Sequence, residues 1–114
     1  MTKVVIYKKN NKFVAIKAQG HTGYDEVGKD IVCATISTAI QTCIHGMLMV
    51  VGIKGFYLKR DEDEGDIDFK LPKELPQDSA DKCQLLFETM YATLLDIQDG
   101  YPEYLLMEVI EDVY

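Results

Sequence analysis

An α+β fold, with a mostly antiparallel sheet of about five strands packed by two helices, follows from three features of the sequence. Alternating apolar and polar residues mark strands in residues 3–19 and again in 56–71. Apolar residues recurring every three or four positions mark helices in the middle of the chain and near its end. These segments succeed one another as strand, strand, helix, strand, strand, helix, strand. At 114 residues, 47% hydrophobic and 27% charged, the chain suits a single domain, 1–114, with a real core.

Residues 3–8 (KVVIYK) and 12–19 (KFVAIKAQ) are rich in β-formers, and Lys9-Asn10-Asn11 between them suits a hairpin turn. In the second run Val14, Ile16 and Ala18 form the better core face, with Phe13, Ala15, Lys17 and Gln19 opposite. From Asp30 the period changes. Val32, Ile36, Ile40, Cys43, Met47 and Val51 make the apolar stripe of a helix, with Asp30 as its cap and Gly52 and Gly55 as its stop. Gly46 inside it costs about 1 kcal/mol relative to Ala and suits close packing. Phe56–Arg60 and Asp66–Leu71 read as strands around Asp61-Glu62-Asp63-Glu64, a mutually repelling run that belongs at an exposed hairpin tip. After the Pro72–Pro76 connector, Asp78 or Ser79 caps a second helix with Leu86, Met90, Leu94 and Ile97 as its buried stripe. Gly100 and Pro102 end it, and Tyr104–Ile110 is the last strand.

The longest uninterrupted apolar run, Met47–Val51, is far too short to span a bilayer, and no signal peptide is apparent at the start. The cytoplasm is therefore the expected compartment. Three cysteines, Cys33, Cys43 and Cys83, are an odd set without C-x-x-C spacing, which argues against a disulfide framework. His45 lies nearly opposite Cys43 on a helix, so the two cannot share a metal ion. A site from His21, Cys33 and His45 is conceivable but lacks zinc spacing. No metal or cofactor is expected. The net charge of −7 is uneven: residues 1–60 carry nine Lys/Arg and three Asp/Glu, residues 61–114 three and sixteen. Such a surface repels nucleic acid and attracts basic peptides.

The chemistry concentrates in 20–34, GHTGYDEVGKDIVCA. Cys33 is expected in the first turn of the first helix, where unpaired N–H groups and the helix dipole favour a thiolate and can hold an oxyanion. His21, at the end of the preceding strand, falls on the same rim of the sheet, in position to act as base. Gly20, Gly23 and Gly28 supply backbone freedom between them. Asp30 either caps the helix or orients His21. Ser37, one turn after Cys33, is a polar contact in the site or merely tolerated there. Cys43 and Cys83 read as core or half-buried thiols. A non-catalytic reading makes Cys33 an inert helix-start residue, and a redox-sensor reading lacks a resolving cysteine nearby.

Gly20-His21-Thr22-Gly23-Tyr24, then Gly28-Lys29-Asp30-Ile31-Val32-Cys33-Ala34 and Ser37, resembles the signature of the ribosomal-processing cysteine protease family Prp (YsxB-like). The likeness extends over essentially the whole chain. It implies a cytoplasmic, homodimeric endopeptidase that removes an N-terminal extension from a large-subunit ribosomal protein precursor, the bacterial L27-type protein. By position, His21 resembles the general base and Cys33 the nucleophile, with Gly20, Asp30 and Ser37 around the site. Gly23, Tyr24 and Gly28 fall in a substrate-contacting loop. The alternative is a ribosome-associated protein-binding module of the same fold without catalysis.

Overall fold

The computed structural model describes residues 1–20, 27–61 and 65–113, the side chains of 27–30 excepted. Its strands are β1 (Thr2–Lys9), β2 (Lys12–Gln19), β3 (Tyr57–Asp61), β4 (Asp66–Lys70) and β5 (Leu105–Glu111). Its helices are α1 (Val27–His45), which continues in π-helical turns over Gly46–Val51, and α2 (Gln77–Gly100). The expected order and fold class hold. The sheet runs β3-β4-β2-β1-β5, with three antiparallel pairs and one parallel pair, β1 with β5.

The β1–β2 hairpin turns at Asn10 and Asn11, both with positive φ (51° and 65°). That backbone matches the twist of the strands it joins, and asparagine tolerates it. The face expected of β2 is only half right. Tyr7 pairs with Ala15 and Lys8 with Phe13, so Val14 is the extra residue of a β-bulge. Beyond the bulge the alternation shifts by one. Phe13 joins Ile16 and Ala18 in the core, whereas Val14 is only half-buried.

Other groups satisfy the backbone freed by this irregularity. Gln84 of α2 accepts from Phe13 N–H at 2.8 Å and donates to Phe13 C=O at 2.7 Å, and Leu71 N–H donates to Val14 C=O at 2.9 Å. The Phe13 ring stacks on Phe87 with centroids 5.5 Å apart, and Phe87 reaches Phe69 of β4 at 6.3 Å. These three rings tie both β2 and β4 to α2.

α1 buries Val32, Ile36, Ile40, Cys43, Ile44 and Met47. By length and composition alone, Ile31–Val51 could cross a membrane. Here it is the central helix of the core, one stripe against the sheet and α2. Gly46 is where α1 meets α2, since a Cβ there would lie 3.1 and 3.3 Å from the two Leu86 methyls. Gly52, with φ 80°, donates its N–H to Met47 C=O and ends the helix, as expected of a left-handed cap.

Two boundaries differ from expectation. α1 begins at Val27, so Asp30 stands inside its first turn and is not the cap. Acidic residues favour the first turn as well as the cap, so one residue type signals either position. α2 is likewise preceded by Pro76, with no side-chain cap, and Asp78 lies in its first turn. Its buried stripe is Cys83, Phe87, Met90 and Leu94, with Leu86 and Ile97 at the flanks. The β3–β4 hairpin is present, with Asp61 and Asp66 exposed where it turns, while 62–64 lie outside the described residues.

Replacing the fully buried Phe87 by Ala should lower the unfolding free energy by about 3–5 kcal/mol in denaturant titration.

Candidate active site

The two sheet-centre strands begin and end at one rim. Thr2, the first residue of β1, donates its backbone N–H to Tyr104 C=O at 2.9 Å and pairs with Leu105 of β5. Gly20 follows the last residue of β2 with φ 102°, a conformation L side chains rarely adopt. A Cβ on Gly20 would lie 2.6 Å from the Met1 carbonyl oxygen, nearer than atoms can approach. Only glycine allows the end of β2 to close against the start of β1, and His21 is the next residue.

Cys33 reaches the same rim from α1. Its Sγ lies 3.6 Å from Thr2 Oγ1, within hydrogen-bond range for sulfur. The neighbouring Val32 and Ile36 fix the rotation of the helix by facing the core, which sets Cys33 at the edge of that stripe, half-buried. Because α1 starts at Val27, Cys33 stands in its second turn and not the first. The unpaired N–H groups and the strongest part of the dipole therefore lie a turn ahead of it.

Ser37, one turn further, accepts from Gln41 Nε2 at 3.4 Å, and Gln41 Oε1 accepts from Arg60 Nη1 of β3 at 2.8 Å. Ser37, Gln41, Arg60, Asp61, Gly65, Asp66 and Ile67 line a cleft of about 150 Å³ between α1 and the β3–β4 hairpin. A second cleft, on the opposite side of that hairpin's tip, shares Asp61 and Asp66 and adds Asp68, Lys17 and Lys59. Acidic side chains thus stand on both sides of the tip.

Of the residues singled out in the sequence, Gly20 and Cys33 meet through the Met1–Thr2 segment, and Ser37 continues along the same helix. Gly28 and Asp30 are placed as backbone in the first turn of α1. His21, Gly23 and Tyr24 lie outside the described residues. His45 is exposed at the far end of α1. Twelve residues of helix, about 18 Å, separate it from Cys33, so the two cannot share a metal ion. Thr2, Gln41 and Arg60 escaped sequence reasoning, because none sits in a motif and their partners are distant in the chain.

The three thiols differ sharply in surroundings. Cys43 and Cys83 are buried, as expected. Burial, and secondarily the neighbouring Cys83, pushes the Cys43 thiol up to about 12, and burial also raises Cys83. Both remain protonated near neutrality, which leaves Cys33 as the accessible thiol.

The family model described as cysteine protease Prp matches residues 1–106 of this chain. The ribosomal processing cysteine protease Prp of Bacillus subtilis (strain 168) is 27% identical over 104 residues, covering 90% of this chain and 92% of that protein. Among solved structures, SMU.848 from Streptococcus mutans superposes with a TM-score of 0.84 at 23% identity, over 98% of this chain and 96% of its own. The essential ribosomal processing protease Prp from S. aureus, solved with a substrate peptide, gives 0.79 at 22% identity, over 96% and 99%.

Two outcomes are expected. Gly20→Ala should cost about 1–3 kcal/mol in thermal or denaturant unfolding, because it strains the backbone and collides with Met1. In reducing buffer, stability should fall as pH rises from about 9 to about 12, since the unfolded Cys43 thiol ionises from its ordinary 9.0 while the folded one keeps its proton. The slope from this group is at most about 1.4 kcal/mol per pH unit, and Cys43→Ala should remove it in paired unfolding titrations.

Proposed function

The chain belongs to the cysteine protease Prp family, and we propose that it cleaves an N-terminal extension from a large-subunit ribosomal protein of the bacterial L27 type. Cys33 is the nucleophile and His21 its general base. The observation that carries this reading is the convergence at one rim. Gly20, which delivers the chain to His21, packs on Met1, and the next residue, Thr2, meets the sulfur of Cys33.

His21 takes the Cys33 proton, and the thiolate attacks the scissile carbonyl to form a tetrahedral intermediate. His21 then protonates the leaving amine as the C–N bond breaks. Water adds to the thioester, His21 taking one of its protons, and collapse releases the acid and regenerates the thiol. Asp30 and Ser37 support the site. Gly23, Tyr24 and Gly28 belong, by sequence, to the loop that contacts the peptide. No metal or cofactor takes part.

The substrate class accords with the charge of the molecule. A ribosomal protein is basic, and Asp61, Asp66 and Asp68 line the clefts beside the β3–β4 tip. The protein works in the cytoplasm, where free thiols persist, and acts as a homodimer, as its family resemblance implies. Light scattering should give twice the chain mass of 12.9 kDa, and a monomer at working concentration would refute the dimer.

The deciding experiment incubates the protein with a precursor peptide carrying the extension. Cys33→Ala and His21→Ala should each lower kcat/KM by about 10²–10⁴-fold or more. Cleavage that survives Cys33→Ala overturns the mechanism, and binding by the parent without cleavage favours a non-catalytic module. Raising ionic strength should lower kcat/KM through lost steering, whereas a salt-independent rate would refute that contribution.

A further inference from the structure

We infer that Thr2 is a positioning residue for the Cys33 thiolate, its hydroxyl donating the hydrogen bond that aims the sulfur and holds its negative charge. The inference deepens the assignment of Cys33 as nucleophile and rests on it.

Three features single out this hydroxyl. It is the group placed against the sulfur, at 3.6 Å, and it joins residues 31 apart in the chain. Among the described residues Thr2 is the buried polar one in an otherwise apolar core set, 8% exposed, and a hydroxyl there needs a partner. It is also held rigidly. Its N–H is bound by Tyr104 C=O, it pairs with Leu105, and the preceding Met1 carbonyl is wedged on Gly20. A β-branched side chain in a strand has few rotamers, so the hydroxyl direction is set before substrate arrives.

The position of Cys33 gives that donor a task. In the second turn of α1, its sulfur is one turn removed from the free N–H groups that would otherwise stabilise a thiolate. A hydroxyl is both donor and acceptor. It can accept from the neutral thiol and donate to the thiolate, and the second bond is the stronger because its acceptor is charged. The difference favours ionisation.

Other titratable groups on the meeting elements are common to every variant compared below. Lys3 of β1 is engaged with Glu108 of β5 at 3.3 Å, on the sheet face opposite Thr2 by strand alternation. Lys29 and Asp30 precede Cys33 by a turn of α1, and the Tyr104 phenol belongs to the segment that binds the Thr2 backbone. All five stay constant in the comparison that follows, as does His21.

The test compares Thr2→Val and Thr2→Ala, which lack the hydroxyl, with Thr2→Ser, which keeps it. Iodoacetamide labelling of Cys33 is followed by mass spectrometry across pH, with far-UV circular dichroism to confirm folding. Both hydroxyl-free variants should move the midpoint of the labelling profile up by about one pH unit and lower kcat about tenfold with KM little changed. Thr2→Ser should restore both. Profiles that overlay the parent would overturn the inference, as would a shift that Thr2→Ser does not reverse, because that marks packing alone. Labelling needs no cleavage, so this result stands apart from Cys33→Ala, whose survival as an active enzyme would overturn the nucleophile itself.

Discussion

Burial of one stripe of α1 constrains nearly everything else in the molecule. Val32, Ile36, Ile40, Ile44 and Met47 each leave water for the seam between sheet and α2, at about 1.5–3 kcal/mol per large side chain. A helix with so strong a facial preference has one rotation and one depth. Cys33 follows Val32 by a single residue, so its sulfur is carried to the edge of the same stripe. The helix is both the spine of the core and the arm that presents the thiol. Its chemistry is fixed by apolar packing several turns away, with Gly46 allowing α2 close enough to hold it there.

The acidity of the chain's second half and the neutrality of its core thiols work at different ranges. Cys43 and Cys83 lie among apolar side chains, and burial keeps them protonated. Asp61 and Asp66 are exposed at the hairpin, where their charge acts at longer range through solvent. Burial thus sets Cys43 and Cys83 apart from the half-buried Cys33 without any change in residue type.

Much of this was legible before any coordinates. The stripe from Val32 to Met47, the paired glycine stop at Gly52 and Gly55, and the buried state of Cys43 and Cys83 all follow from periodicity and local turn chemistry. The bulge at Val14 was not, because Lys-Phe-Val-Ala-Ile alternates equally well in either phase, and a partner strand decides which residue is skipped. Gln84 compensates the bulge from seventy residues away, a relation that no local pattern encodes. Asp30 misled for a different reason, since caps and first turns attract the same carboxylates. Within the candidate site, Gly20 and Cys33 stood out as part of a spaced motif, whereas Thr2 is an ordinary strand residue until the fold brings it to the sulfur.

The parallel pairing of β1 with β5 has a temporal consequence. Thr2 is anchored by Tyr104 and Leu105, so β1 gains its second neighbour from a strand that follows every other described element in the chain. Contacts of such sequence separation close late and at high entropic cost. In folding, β1 therefore meets β2 across a short turn and β5 across nearly all the intervening elements, and the second pairing completes the rim beside the Cys33 sulfur. The setting of the Cys33 sulfur is therefore a property of the closed sheet and not of α1 alone.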